Sequence, residues 1–248
     1  MNVHWIVGVH PVAGALDNDP ARVREVLVEQ GARNARVQQL AERARTLGIP
    51  VHTRAREQLD RLAGNARHQG IAIHYEAPPT LDEAALEAAV DAAGQGVLVL
   101  VLDGVTDPHN LGACLRSAAA AAATAVVVPK DRAAGLTPVA RRASAGGAER
   151  VPLATVTNLA RTLRELKQRG VWITGLAGDA PRTIYETDFT GPLALVLGSE
   201  GEGMRRLTRE ACDFLARIPM PGAMESLNVS VATGVVLFEA LRQRGVAR

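Results

Sequence analysis

With 248 residues the chain has room for two modest domains or one large α/β domain, and its 47% hydrophobic content can fill a sizeable core. Only 3% of residues are aromatic, so that core is aliphatic, and the composition argues against a stacking platform for single-stranded nucleic acid. A formal net charge of +2 is too small to announce a nucleic-acid partner.

Charge is unevenly placed. Residues 22–68 hold ten arginines against five acids. Such a region is compatible with RNA phosphate contacts. It also suits a solvated helix face laced with ion pairs, which charge alone favours. Residues 77–96 carry four acids and no base. The two cysteines, Cys114 and Cys212, lack a His or Cys partner at metal spacing, which predicts a reducing compartment and no disulfide framework. The start, MNVHWIVGVHPVAGAL, has neither the basic nor the long apolar region of a signal peptide. No uninterrupted apolar run approaches ~20 residues. HExxH, paired CxxC and calcium-loop patterns are absent, so no metal is expected. These features predict a soluble cytoplasmic protein without a membrane partner.

Residues 1–76 read as a small α/β unit. Strands are expected at 5–9, 35–37, 51–52 and 71–74. Helices are expected from 11 to 16, at 21–30 with Val23, Val26 and Leu27 on one face, at 37–47 and at 57–65. Residues 77–96 read as an interdomain linker with some helix, bounded by Pro78-Pro79 and by AGQG. From residue 97 the pattern changes. Continuous apolar strands at 97–103, 125–129, 171–177 and 193–198, and a short one at 217–220, alternate with helices at 111–122, 137–143, 158–169 and 229–244. That alternation means a mostly parallel sheet covered on both faces.

Three segments follow predicted strands, where ligands bind in open α/β sheets. In LDGVTDPHNLGACLRSA (102–118), Asn110 suits a helix N-cap. Arg116 stands alone in an aliphatic helix, either snorkelling to the surface or aimed at an anion. LVLGSEGEGM (195–204) is glycine-rich, yet it matches neither GxGxxG nor GxxxxGK[ST], and Glu200 and Glu202 would repel a phosphate. It better suits a loop whose backbone approaches a neutral or cationic ligand. In RIPMPGAMESLNVSVATGVVLFEAL (217–241) two prolines and a glycine force an extended loop. Ser226, Asn228 and Ser230 then offer more hydrogen-bonding capacity than one cap needs. A serine-hydrolase elbow at RASAGGAE (142–149) is excluded, because the first glycine of GxSxG is missing and no strand precedes it.

Together these segments resemble, in order and spacing, the three motifs of the SpoU/TrmH family of RNA ribose 2′-O-methyltransferases, over residues 97–248. GVHPVAGAL, NARHQGIA (65–72) and VPLATVTNLART (151–162) look like the branch that modifies a guanosine of 23S ribosomal RNA. The resemblance implies three regions: an RNA substrate-binding domain at 1–76 similar to a small α/β ribosomal-protein fold, a linker at 77–96, and a SPOUT methyltransferase domain at 97–248. That last domain would carry a deep trefoil knot, in a homodimer. It implies S-adenosylmethionine as methyl donor, held by Leu197, Gly198, Gly203, Ile218, Met220 and Leu227. It places Arg116 at the reacting hydroxyl, as base or as stabiliser of the developing oxyanion. Asn110 and Glu200 would orient groups around it, and Ser226 and Asn228 would complete the site. The rival expectations are a transfer-RNA methyltransferase of the same family, a non-catalytic RNA-binding or ribosome-assembly module, and a dinucleotide-dependent enzyme.

Overall fold

A computed structural model of the chain describes residues 3–64, 66–76 and 80–245. The chain divides into two compact units, Met1–Pro79 and Thr80–Arg248.

In the first unit the elements are β1 (Val3–Val7), α1 (Val9–Asn18), β2 (Val23–Glu29), α2 (Ala35–Thr46), β3 (Val51–Arg54), α3 (Arg56–Ala63) and β4 (Ile71–Glu76). The sheet order is β1-β4-β2-β3, with β4 antiparallel to both neighbours and β2 parallel to β3. The helix expected at 21–30 is the strand β2. Its apolar residues mimic helical spacing because both faces are covered: Val26 and Val28 join the cluster with α1 and α2, while Leu27 alternates to the other side and is also buried. The strand expected at 35–37 is instead the first turn of α2, capped by Asn34 Oδ1, which accepts from Arg36 N–H at 3.0 Å.

The second unit contains α4 (Glu83–Ala93), β5 (Leu98–Asp103), α5 (Pro108–Ala120), β6 (Ala125–Pro129), α6 (Pro138–Ser144), β7 (Leu153–Val156), α7 (Leu159–Gln168), β8 (Trp172–Leu176), β9 (Arg182–Thr183), β10 (Leu193–Gly198), α8 (Arg206–Glu210), β11 (Phe214–Arg217) and α9 (Val229–Gln243). Its sheet runs β7-β6-β5-β10-β8-β11-β9, and every neighbouring pair is parallel. Alternate residues of β5 serve two cores. Leu98, Leu100 and Leu102 pack with α5 and α9, whereas Val99 and Val101 pack with α4 and α7. Both faces are therefore dry, which is why the strand reads as unbroken apolar sequence.

The segment expected as a linker differs from that reading. Residues 77–79 lie outside the described residues, and α4 packs into the second unit through the buried Leu86 and Val90. Its acids are engaged: Asp82 caps the helix at Ala85 N–H, Glu83 accepts from Thr157 and Arg161, and Glu87 pairs with Arg169 at 2.6 Å. The strand expected at 217–220 ends at Arg217, because Pro219 and Pro221 have no N–H to donate to a ladder. The short β7, β9 and α8 are additional to the expected elements.

Candidate active site

The carboxyl ends of β5 and β10 lie side by side, with Leu197 opposite Leu102 and Gly198 opposite Asp103. This adjacency brings the first two motifs together. After β5 the chain turns into α5, whose N-cap is Asp107, accepting from His109 N–H at 2.9 Å, with Pro108 in the first helical position. Asn110 is therefore not the cap. It sits in the first turn, and its amide is free to reach outward.

After β10 the loop closes on itself: Ser199 and Gly203 exchange N–H···O bonds of 3.1 and 3.0 Å. A Cβ on Gly198 would stand 2.0 Å from the Gly203 carbonyl carbon, so only glycine permits this fold-back. The rear of the loop is tied down by Asp103, a buried carboxylate that accepts from Arg205 N–H at 2.8 Å and from Arg205 Nε at 2.6 Å. Glu200 stands at the tip. One of its oxygens, Oε1, accepts from Asn110 Nδ2 at 3.2 Å, Asn228 Nδ2 at 2.7 Å and Val229 N–H at 3.4 Å. Asn228 Nδ2 also donates to Asn110 Oδ1 at 3.0 Å.

Asn228 has two jobs. Its Oδ1 caps α9, accepting from Ser230 N–H at 2.9 Å and Ser230 Oγ at 2.6 Å, while its amide joins the cluster. Three residues separated by 90 and 118 positions in sequence thus form one hydrogen-bonded triangle at the N-termini of two helices. A carboxylate there is favoured by both helix dipoles.

Beside the triangle lies a cavity of about 140 Å³. Ile218, Met220, Ser226 and Leu227 line it, as do Leu176, Ala177 and Gly178 at the end of β8. The last three were not anticipated, although a strand running into Gly178-Asp179 was a local signal for a ligand-facing turn. Leu197, Gly198 and Gly203 do not line this cavity. Leu197 is buried in the core, and the two glycines shape the adjoining loop. The walls are mainly aliphatic and backbone, with Glu225 and Arg217 as the charged lining residues; the Arg217 guanidinium donates to the Ala180 and Pro181 carbonyls. Such a lining suits a ligand with an apolar part that contacts backbone groups.

Arg116 does not join the triangle. It lies six residues beyond Asn110, about 9 Å along α5 and roughly 120° around it. Its side chain is exposed and makes no hydrogen bond or ion pair among the described residues. Its backbone is clamped instead: a Cβ on Gly147 would meet Arg116 Cα at 2.8 Å. Neither cysteine is placed as a nucleophile. Burial pushes the Cys114 thiol up to about 11 and the Cys212 thiol to about 12.

Comparison with known proteins identifies the family. Residues 97–238 match the SpoU rRNA methylase family, and residues 5–81 match the RNA 2′-O ribose methyltransferase substrate-binding domain. A 23S rRNA (guanosine-2′-O-)-methyltransferase RlmB of Xanthomonas campestris pv. campestris is 57% identical, covering 97% of this chain and 96% of the relative. The protein of the same description from Pseudomonas putida is 51% identical, covering 98% of each. Among solved structures, the SpoU methyltransferase AviRb from Streptomyces viridochromogenes, in complex with the cofactor AdoMet, superposes with a TM-score of 0.79 at 25% identity, over 98% of this chain and 90% of that one. The chain belongs to the SpoU rRNA methylase family.

Proposed function

We propose that this chain transfers a methyl group from S-adenosylmethionine to the ribose 2′-hydroxyl of one guanosine in 23S ribosomal RNA, in the peptidyl-transferase region. The near-full-length likeness to relatives described by that reaction carries the reading. The site geometry is consistent with it. When bound, S-adenosylmethionine supplies a methyl group activated by a positive sulfur. Ile218, Met220, Leu227 and the backbone of residues 176–178 would hold it in the aliphatic cavity, with Gly198 and Gly203 keeping the glycine loop closed beside it.

A ribose hydroxyl is a weak nucleophile: as the O–CH3 bond forms and the S–CH3 bond breaks, its proton passes to solvent water, and a positioned group must stabilise the charge that develops on the oxygen. Arg116 has that role. Its guanidinium presents five N–H donors, and it has no carboxylate partner among the described residues to occupy them. Asn110, Glu200 and Asn228 orient the ribose through their triangle, and Ser226 adds a hydroxyl at the cavity wall.

Two larger features belong to the same reading. The deep trefoil knot is supported by the course of the chain: β10 inserts between β5 and β8, and α9 comes back from the β11 side to α5, with Thr233 Oγ1 3.4 Å from Cys114 Sγ. The homodimer is supported by the exposed Val231 and Phe238, one heptad apart on α9. Sedimentation is expected to give twice the chain mass, and Phe238→Glu to shift it to the monomer. The protein would work in the cytoplasm; among the described residues no helix is long and apolar enough to cross a membrane.

The test is to incubate the protein with labelled S-adenosylmethionine and unmodified 23S or transfer RNA, and then to map the labelled ribose. Label on one guanosine of 23S RNA is expected. It should disappear in Arg116→Ala while donor binding persists. Label confined to transfer RNA would replace the substrate. Failure to bind the donor would favour a non-catalytic assembly factor.

A further inference from the structure

Nine of the ten arginines between residues 22 and 68 divide by their pairing and place in the sheet; the tenth, Arg61, is exposed on α3 without an ion pair among the described residues. At one end of the first unit each has a carboxylate: Arg22 pairs with Asp19 at 2.7 Å, Arg24 with Glu76, Arg43 with Asp17, and Arg45 with Glu42 at 3.0 Å. At the other end the strand register brings four chain segments together. Val7 lies opposite Ala72, Val28 opposite Ile71 and Glu29 opposite Arg54, so the exits of β1, β2 and β3 meet the entry to β4. Arg33, Arg36, Arg54 and Arg67 stand on those segments, all exposed and none ion-paired among the described residues. Arg56 beside them reaches Glu29 and Asp60 only at 3.9 and 3.8 Å.

A concave pocket of about 440 Å³ lies at this end, lined by Arg56 and Arg67 and also by the carboxylates Glu29 and Asp60, of which Asp60 is engaged by His68. The segment that carries Arg67 is held from within. His68 is buried with both ring nitrogens committed: Nδ1 accepts from Gly70 N–H at 3.0 Å, which leaves Nε2 as the donor to Asp60 at 3.0 Å. Gln69 adopts a left-handed φ of 54°, and its Oε1 accepts from Val9 N–H at 3.0 Å. Left-handed backbone at a non-glycine residue costs energy and persists where the surroundings enforce it. The loop is thus fixed, and it keeps an unpaired arginine at a pocket rim.

We infer that this end of the first unit is where structured RNA is gripped, its phosphates lying across Arg33, Arg54, Arg56 and Arg67, and that the paired arginines at the opposite end take no part. The inference rests on the proposed RNA substrate. It adds which surface of the N-terminal unit meets that RNA.

The test compares two full-length variants: Arg33, Arg54, Arg56 and Arg67 all changed to Ala, and Arg22, Arg24 and Arg43 all changed to Ala. Binding of labelled, unmodified 23S RNA fragments is followed by anisotropy across a salt series, without any methyl transfer. Each lost phosphate contact reduces the slope of log affinity against log salt by about 0.7 to 0.9. The first variant should lose about 3 to 3.5 units of slope and at least ~10-fold in affinity. The second should bind within about twofold of the parent. Equal losses in both variants, or no loss in the first, would overturn the inference. Should the fourfold variant fold poorly by circular dichroism, Arg67→Glu at its exposed position asks the same question. If the parent methylates no RNA yet the salt slope still depends on these arginines, the surface stands and the activity reading falls. If methylation proceeds and the slope is unchanged, only the surface falls.

Discussion

Glu200 accepts three hydrogen bonds on one oxygen and ties the glycine loop to two helix N-termini. Its truncation to Ala should leave the core intact, because the residue is exposed. Methyl transfer should fall on the order of 100-fold, since positioned polar groups at reacting centres carry effects of that size. The apparent affinity for S-adenosylmethionine should move much less, and separate kcat and KM measurements check this split. Cys114 offers a different residue-scale test. Its thiol is raised from 9.0 to about 11, first by burial, against a smaller opposing hydrogen bond with Thr233. Below pH 9 the thiol is protonated in both folded and unfolded chains, so its full contribution to stability is present. Between pH 9 and 11 the unfolded chain ionises while the folded one does not, and stability is lost as pH rises, on the order of 2 kcal/mol in total. Thermal unfolding should therefore decline less steeply across that window in Cys114→Ser than in the parent.

At the scale of elements, α5 is the part whose placement matters most. It carries Asn110 in its first turn and Arg116 two turns on, and its buried face is pressed against its neighbours without a spacer. A Cβ on Gly112 would meet the Ala140 carbonyl at 2.4 Å, and one on Gly147 would meet the Leu115 carbonyl at 2.8 Å. Gly112→Ala must push α5 and α6 apart, at a cost of about 1 to 3 kcal/mol typical of overpacking. Denaturant titration should show that loss, and methyl transfer should fall further than donor binding, because Arg116 and Asn110 move with the helix. The segment 138–149 that forms this clamp contains the stretch 142–149 rejected above as a serine-hydrolase elbow. Ser144 is buried there, donating to the Arg141 carbonyl at 2.7 Å and accepting from Ala148 N–H at 3.2 Å. Its hydroxyl holds a turn together and is not available to attack a substrate. Two element-scale readings failed for one physical reason. A strand covered on both faces, β2, and a helix whose acids are all partnered, α4, carry local patterns that belong to other structures until their neighbours are known.

At the scale of the molecule, the division at Pro79/Thr80 makes a sharp prediction. A chain of residues 80–248 should unfold cooperatively and bind S-adenosylmethionine. A chain of residues 97–248, which begins where the apolar strand does, lacks the buried Leu86 and Val90. It should be less stable by roughly 3 to 6 kcal/mol, at about 1.5 to 3 kcal/mol for each side chain, and calorimetry of the two fragments decides it. The α/β class, the parallel sheet and the two loops that follow β5 and β10 were readable from the chain alone. Apolar runs, glycines, prolines and caps act over a few residues, and strand ends in parallel sheets point at ligand sites. The partners of those loops were not readable. That Glu200 meets Asn110 and Asn228 depends on β10 lying next to β5, and that residues 176–178 face the same cavity depends on β8 lying beyond it. Strand order is set by how whole layers cover one another, which no local pattern encodes. The arginines make the same point: their number is a property of the sequence, but which of them are neutralised depends on the carboxylates that folding brings within reach.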